Sequence, residues 1–318
     1  MKKFVSIVFF FSWLLAQEDV ISLPSGARLD LPHTANVRVD TIMVKSGATF
    51  AAESPRDFSE AIATGNGTII TGQPLVSSVS SSTSDGAYNA GDTVLVTITF
   101  SENVTVTGTP QLTMETGSTD AVLNYVSGSG TATLVFRYIV ASGHTSADLA
   151  YSSTTALTLP DTTIKIRDNL VNDGVLTLPV PGATNSLAAN KVLVIDTEAP
   201  TAGTVSDGSG TDVTYSGSST SITANWTGFS DALSGIASYE IAVGTTSGAT
   251  NVLSWTSAGD VTTYTKSDLS LTHATRYYVS TRALDAAGNY SSAATANGVI
   301  IDVVAPSSTV SIDSTTYN

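Results

Sequence analysis

Two seven-residue stretches 106 residues apart constrain this chain more than any other feature: Val194 to Pro200 reads V-I-D-T-E-A-P, and Ile300 to Pro306 reads I-I-D-V-V-A-P. Each is a short apolar run that ends in Asp and passes into a linker closed by Ala-Pro. Upstream of each stands a second matched pair, Asp168 with Asn172 and Asp285 with Asn289, both spaced D-x-x-x-N. A period of about one small domain is the signature of a tandem array rather than of one large enclosed core.

Composition indicates what the repeated unit is built from. Hydrophobic residues make up 42% of the 318, enough for real cores, whereas only 13% are charged. The polar surface therefore falls to Ser, Thr, Asn and Gly, which suit twisted sheets joined by turns. Runs of the residues that helices prefer are nearly absent. The expected class is all-β. A formal net charge of −14, with 13 basic residues scattered over the whole chain, argues against nucleic acid as a partner. Phosphate neutralisation needs clustered Lys and Arg. The acidity suits a solvated exterior and divalent cations. There is no Cys, so stability rests on cores and on any bound ions rather than on disulfides.

Met1 to Ala16 has the form of a secretory signal peptide: Lys2 and Lys3, the apolar run Phe4 to Leu15, then the small Ala16. It is shorter than the about 20 residues of a membrane span, and no later stretch is apolar enough to cross, so the mature chain is expected to have no membrane span. The expected location is extracellular or at a bacterial cell surface. Residues 17–74 are the least readable segment, with a strand over Val37 to Val44, a turn around Gly47, and a short helix over Pro55 to Ala63 capped by Ser54.

From Leu75 to Asp196 the strand signal is strong. Val94, Val96, Ile98 and Phe100 alternate with Leu95, Thr97 and Thr99, and Ala132, Leu134, Phe136, Tyr138 and Val140 do the same. Shorter strands are expected at Leu112/Met114, Leu123/Tyr125, Ile164/Ile166 and Val192/Val194, with Gly-containing turns between them. Three blocks in order, Gly91 to Val106 (G-D-T-V-L-V-T-I-T-F-S-E-N-V-T-V), Gly128 to Tyr138 (G-S-G-T-A-T-L-V-F-R-Y) and Ala189 to Pro200, resemble a bacterial immunoglobulin-like repeat. Such repeats occur in large surface and adhesin proteins. The resemblance implies a sandwich over 75–198 with a structural or adhesive role. It departs at Asp168 to Asn172, D-N-L-V-N, where these repeats carry D-x-x-G-N, and the missing Gly is expected to alter the turn.

Residues 201–303 read as a second sandwich. Ile222, Ala224 and Trp226 alternate, as do Tyr239, Ile241 and Val243, and Tyr277, Val279, Thr281 and Ala283; Val252 to Trp255 supplies another strand. The early Trp226, the Leu271-x5-Tyr277 spacing and the closing D-A-A-G-N resemble a fibronectin type III domain. That resemblance implies a tyrosine corner at Tyr277. After Pro306 the chain reads S-S-T-V-S-I-D, much as Pro200 is followed by T-A-G-T-V-S-D. Residues 304–318 therefore read as the truncated start of a further repeat. The fold expectation is tandem immunoglobulin-like/fibronectin type III-like β-sandwiches.

Catalytic signatures are missing. His33, His144 and His273 are far apart in unrelated contexts, and no G-x-S-x-G, H-E-x-x-H or phosphate-cradling loop is present. The sharper chemistry is Ca²⁺, which takes six to eight oxygens from carboxylates, Asn side chains and carbonyls. Its candidate ligands are Asp168, Asn172, Asp196, Glu198, Asp285, Asn289 and Asp302, with Asp207 and Asp231 available to complete a cage around Asp196 and Glu198. The simpler reading makes these residues turn formers and strand-end caps. Trp255 and Tyr264 sit in a polar stretch and suit either sugar stacking or, as strand aromatics usually do, core packing. The expected function is a non-catalytic cell-surface spacer or binding module for a surface glycan or protein. The alternative is an accessory carbohydrate-binding region of a secreted enzyme.

Overall fold

The computed structural model describes residues 73–169 and 172–307, together with the backbone of six short strands between Val20 and Ile70. The signal segment, residues 308–318 and most of the helix expected over Pro55 to Ala63 lie outside the described residues. Ile62 and Ala63, its last two positions, belong to a strand.

The six early strands are β1 (Val20–Leu23), β2 (Arg28–Leu31), β3 (Thr41–Val44), β4 (Thr49–Ala52), β5 (Ile62–Thr64) and β6 (Thr68–Ile70). They fall alternately into two three-stranded sheets, β1-β3-β5 and β2-β4-β6. Every pairing is parallel, with Val20 opposite Thr41 and Arg28 opposite Thr49. Parallel neighbours cannot be joined by a tight hairpin. The chain meets this limit by visiting the second sheet before returning to the first. Ser-Gly-Ala occurs at residues 25–27 and again at 46–48, each time between the two strands of one such circuit.

The next strands are β7 (Val76–Ser81), β8 (Gly86–Tyr88), β9 (Thr93–Thr107), β10 (Gln111–Glu115), β11 (Ala121–Ser127), β12 (Thr131–Ile139), β13 (Thr145–Ser146), β14 (Ala150–Tyr151), β15 (Leu157–Thr158) and β16 (Lys165–Arg167). The helical turn α1 (Leu187–Asn190) follows, capped by Ser186, whose Oγ accepts from Ala189 N. Then come β17 (Leu193–Asp196), β18 (Thr204–Asp207), β19 (Tyr215–Ser216), β20 (Ile222–Thr227), β21 (Ile236–Gly244), β22 (Leu253–Gly259), β23 (Thr263–Lys266), β24 (Arg276–Asp285), β25 (Ala294–Thr295) and β26 (Val299–Ile301).

The chain divides into two compact units. The first is dominated by an eight-stranded sheet in the order β14-β10-β11-β12-β9-β16, with β15 on β10 and β7 on β9. Antiparallel register sets Val96 opposite Phe136 and Ile98 opposite Leu134. These four, with Val94, Leu112, Met114 and Leu149, are fully buried. Each such side chain contributes about 1.5–3 kcal/mol on burial. The β11–β12 turn demands glycine at residue 128, where φ is +110° and a Cβ would lie 2.1 Å from the Thr133 carbonyl oxygen.

The second unit takes residues 86–92 and 140–148 together with everything from Leu193 onward. Its first sheet places β17 antiparallel to β13 and parallel to β8. Leu193 and Ile195 are the buried face of β17, and Val192 is exposed. The sequence points to the opposite face because all four residues of V-L-V-I are apolar and alternation is invisible there. The rest is a sandwich of β18-β20-β23 against β19-β26-β24-β21-β22, with β25 on β24. One core cluster gathers Ile222, Val243, Tyr277, Val279, Val299 and Ile301. The other gathers Trp226, Tyr239, Ile241 and Ala283. Trp226 and Phe229 flank the Tyr239 ring with centroids 5.4 and 5.6 Å away. Thr272 N donates to the buried Tyr277 Oη at 2.9 Å, a bond between a strand tyrosine and the backbone just upstream, which is the tyrosine corner. The fold is all-β, made of immunoglobulin-like and fibronectin type III-like sandwiches.

Candidate functional site

Asp285 ends β24 and opens a turn closed by Asn289. Asp285 Oδ1 accepts from Asn289 N at 2.8 Å, Asp285 Oδ2 accepts from Asn289 Nδ2 at 2.8 Å, and Asp285 N donates to Asn289 O at 3.1 Å. Gly288 adopts φ +96° within it, a conformation that costs glycine little. Asn289 Nδ2 also donates to Asp196 O at the end of β17, 93 residues away in sequence, at 3.1 Å.

That bond brings the strand ending in Asp196 against the turn, and a third carboxylate completes the arrangement. Asp231, in the loop after β20, gathers the N–H groups of Leu233, Ser234 and Gly235 on Oδ1 at 2.8 to 3.0 Å. Burial opposes its ionisation, but these three donors, together with a side-chain hydrogen bond to Asp196, more than offset it and hold its pKa below the ordinary aspartate value. Ser234 then donates from both N (3.2 Å) and Oγ (2.5 Å) to Asp196 Oδ2. One carboxylate oxygen from each of Asp196, Asp231 and Asp285 lies within 4.8 Å of the other two. Asp196 and Asp285 are buried. Calcium–oxygen distances of 2.3–2.6 Å place opposed ligands up to about 5 Å apart, so this trio has the span of a Ca²⁺ oxygen shell. The cluster concentrates like charge and oxygen donors.

The remaining expected ligands sit elsewhere. Asp168 and Asn172 form their own turn in the first unit, with Asn172 N and Nδ2 donating to Asp168 Oδ1 and Oδ2 at 2.8 and 2.7 Å. This clamp matches that of Asp285 and Asn289 although Gly288 has no glycine counterpart at Val171. Residues 170 and 171 themselves lie outside the described residues. Glu198 is exposed, and its backbone N donates to Asp196 Oδ1 at 3.1 Å. Asp302 repeats that cap through Val304 N at 3.2 Å and faces His273 Nδ1 at 3.6 Å, with its side chain half exposed. Asp207 is fully buried but bonds to Gly298 N, apart from the trio. Ser234 and the Asp231 N–H nest were not legible as parts of the site. The D-A-L-S-G run at 231–235 signals a turn but names no partner.

The two aromatic candidates divide. Tyr264 packs against the Trp226 cluster. Trp255 is half-buried, and the Arg282 guanidinium lies between its ring and that of Tyr290, 4.4 and 4.0 Å from the two centroids. Arg282 Nε and Nη2 both donate to Glu240 Oε2 at 2.8 and 2.6 Å. The facing sides of both rings are therefore occupied by protein.

No protein-family profile and no curated protein matches the sequence. Solved structures with which the chain aligns include domains of titin, at 14% identity and TM-score 0.34 over 74% of this chain and 69% of that one. The FN1–FN3 domains of chicken CNTN1 match at 14% identity and TM-score 0.31, over 73% and 67%. Fibronectin(III)-like modules of Clostridium thermocellum CbhA match at 14% and 0.27, over 70% and 94%. Among the described residues no helix is long and apolar enough to cross a membrane.

Proposed function

We propose that this chain is an exported, non-catalytic structural or adhesive module of a cell surface, and that Ca²⁺ stiffens it at Asp196, Asp231 and Asp285. One observation carries the calcium part of the reading: three carboxylates from three separate segments converge, two of them buried. Buried like charges repel strongly at this range, and a divalent cation relieves the repulsion without a proton. The export part is supported by the signal-like segment Met1 to Ala16, and the non-catalytic part by the sandwich fold and the absence of a catalytic motif from the sequence. The ligand class this module serves is a surface glycan or protein.

The test is thermal unfolding of the mature chain in excess EDTA and in millimolar Ca²⁺. A rise of several degrees that Asp196→Asn abolishes supports the calcium-stiffened module. Superimposable curves return the trio to turn and cap duty and leave a metal-independent module. The second reading, an accessory sugar-binding region, draws on the half-exposed Trp255 and Tyr290. A glycan-array signal lost in Trp255→Ala would favour it over the first.

A further inference from the structure

One buried carboxylate belongs to neither the cation cluster nor any turn clamp. Asp207 ends β18 and is fully buried. Its Oδ2 accepts a single bond, from Gly298 N at 3.0 Å, and its Oδ1 is buried with no hydrogen-bond partner among the described residues. Gly298 lies immediately before β26, so this one bond ties the first strand of the second sandwich to its last, 91 residues apart. The tie admits only glycine, because at φ +93° a Cβ on residue 298 would meet Tyr278 Cε1 at 2.8 Å.

The surroundings of Asp207 favour a proton over a charge. An ionised carboxylate offers about four acceptor sites, and only one is used here. Among the described residues two charged groups face it. Asp212, from the loop after β18, accepts from Asp207 N at 2.9 Å and from Asn297 Nδ2 at 2.8 Å, and its negative charge opposes a second one. Arg276, on β24, is committed through Nη1 to the carbonyl oxygens of Gly298 and Asn297 and acts on Asp207 only through space. The strand β20 presents Ala224 opposite Asp207, and the turn before β26 presents Asn297 and Gly298, none of which titrates.

We propose that Asp207 is a proton-operated clasp between β18 and the turn before β26, closed when its carboxyl is protonated and loosened when it ionises. Burial, the largest influence, pushes the carboxyl up from 3.8 to about 6, with Asp212 adding to the rise and Gly298 N–H and Arg276 opposing it. Between pH about 4 and about 6 the folded chain holds a proton that the unfolded chain has lost. The stabilisation is complete below pH about 4, is lost as pH rises to about 6, and then levels off. Acidification within this window tightens the clasp.

The experiment is NMR on the mature chain in EDTA, following the Asp207 carboxyl carbon and the exchange protection of Gly298 N–H from pH 4 to 7.5. The expected midpoint is about 6, with Gly298 opening, corrected for intrinsic exchange, growing up to about a hundredfold over the window. Asp207→Asn should flatten that dependence, and Asp212→Asn should lower the midpoint. A carboxyl midpoint at or below 4 overturns the clasp whether or not the variants fold. Protection of Gly298 that does not change with pH in the wild-type chain overturns it equally.

Discussion

The turns at Asp168 to Asn172 and Asp285 to Asn289 are the same object in different company. Both join Asp N to Asn O at 3.1 Å and place both Asn nitrogens on the Asp carboxylate. Both are followed by the same strand return, an isolated bridge joining residue 167 to 173 in one and 284 to 290 in the other. Their neighbours differ. The second turn receives Asp196 from β17 and Asp231 from the loop after β20. Near the first stands Glu102, whose carboxyl is raised by burial and by the Asp168 charge, and whose Oε1 has no partner among the described residues. A D-x-x-x-N motif thus encodes its own clamp, while the strands folded against it decide whether it joins a cluster.

The largest test of that equivalence is deletion of each clamp. Asp168→Ala and Asp285→Ala each leave two Asn donors unmatched, and hydrogen bonds to charged groups are worth about 1.5–3 kcal/mol apiece. Urea unfolding in EDTA should show comparable losses of about 2–4 kcal/mol for the two. A clear inequality would mean that the neighbours, not the clamp, hold these turns. Calcium should then separate them. At about 100 times its dissociation constant, a cation stabilises the chain by about 2.7 kcal/mol. Calorimetry should find this gain intact in Asp168→Ala and absent in Asp285→Ala. The smallest effect distinguishes the flanking arginines. Arg282→Ala removes a guanidinium held by two rings and by two hydrogen bonds to one carboxylate oxygen of Glu240, and should cost about 1–2 kcal/mol. Arg167→Ala breaks a more exposed pair with Asp173, 2.6 Å long, which solvent screens, and should cost less than Arg282→Ala. Chemical denaturation of both variants checks the order.

Strand alternation was legible wherever one face is apolar and the other is not, as in β9 and β20, because a period of two is a local property. It failed at β17, where Val192 to Ile195 are all apolar. The tyrosine corner was implied by the fibronectin type III resemblance that Leu271 and Tyr277 help to carry. The early parallel sheets were not read, although Ser-Gly-Ala recurs 21 residues apart at 25–27 and 46–48, because so short a signal, which also occurs at 247–249, does not stand out from a polar background. The carboxylate trio was legible in part. Asp196 and Asp285 stood out through duplication, whereas Asp231 depends on a loop 35 residues beyond Asp196 coming back to it. Such a return is set by topology, which spacing does not reveal. Glu198 shares the duplicated stretch yet contributes only its backbone N–H, since the side chain after a strand end points where the next loop sends it.

The parallel pairing of β8 with β17 and of β19 with β26 has a mechanical consequence. In each pair a strand near the start of a folded segment runs alongside the strand that leaves it, in the same direction. Drawing the two chain ends apart slides the strands past each other and loads their hydrogen bonds together, in shear. An antiparallel pair gripped at its open end is peeled one bond at a time. Ile300 N to Thr214 O at 2.9 Å and Asp302 N to Ser216 O at 2.8 Å form one such shared grip. A chain closed this way yields little under tension until several bonds give way at once.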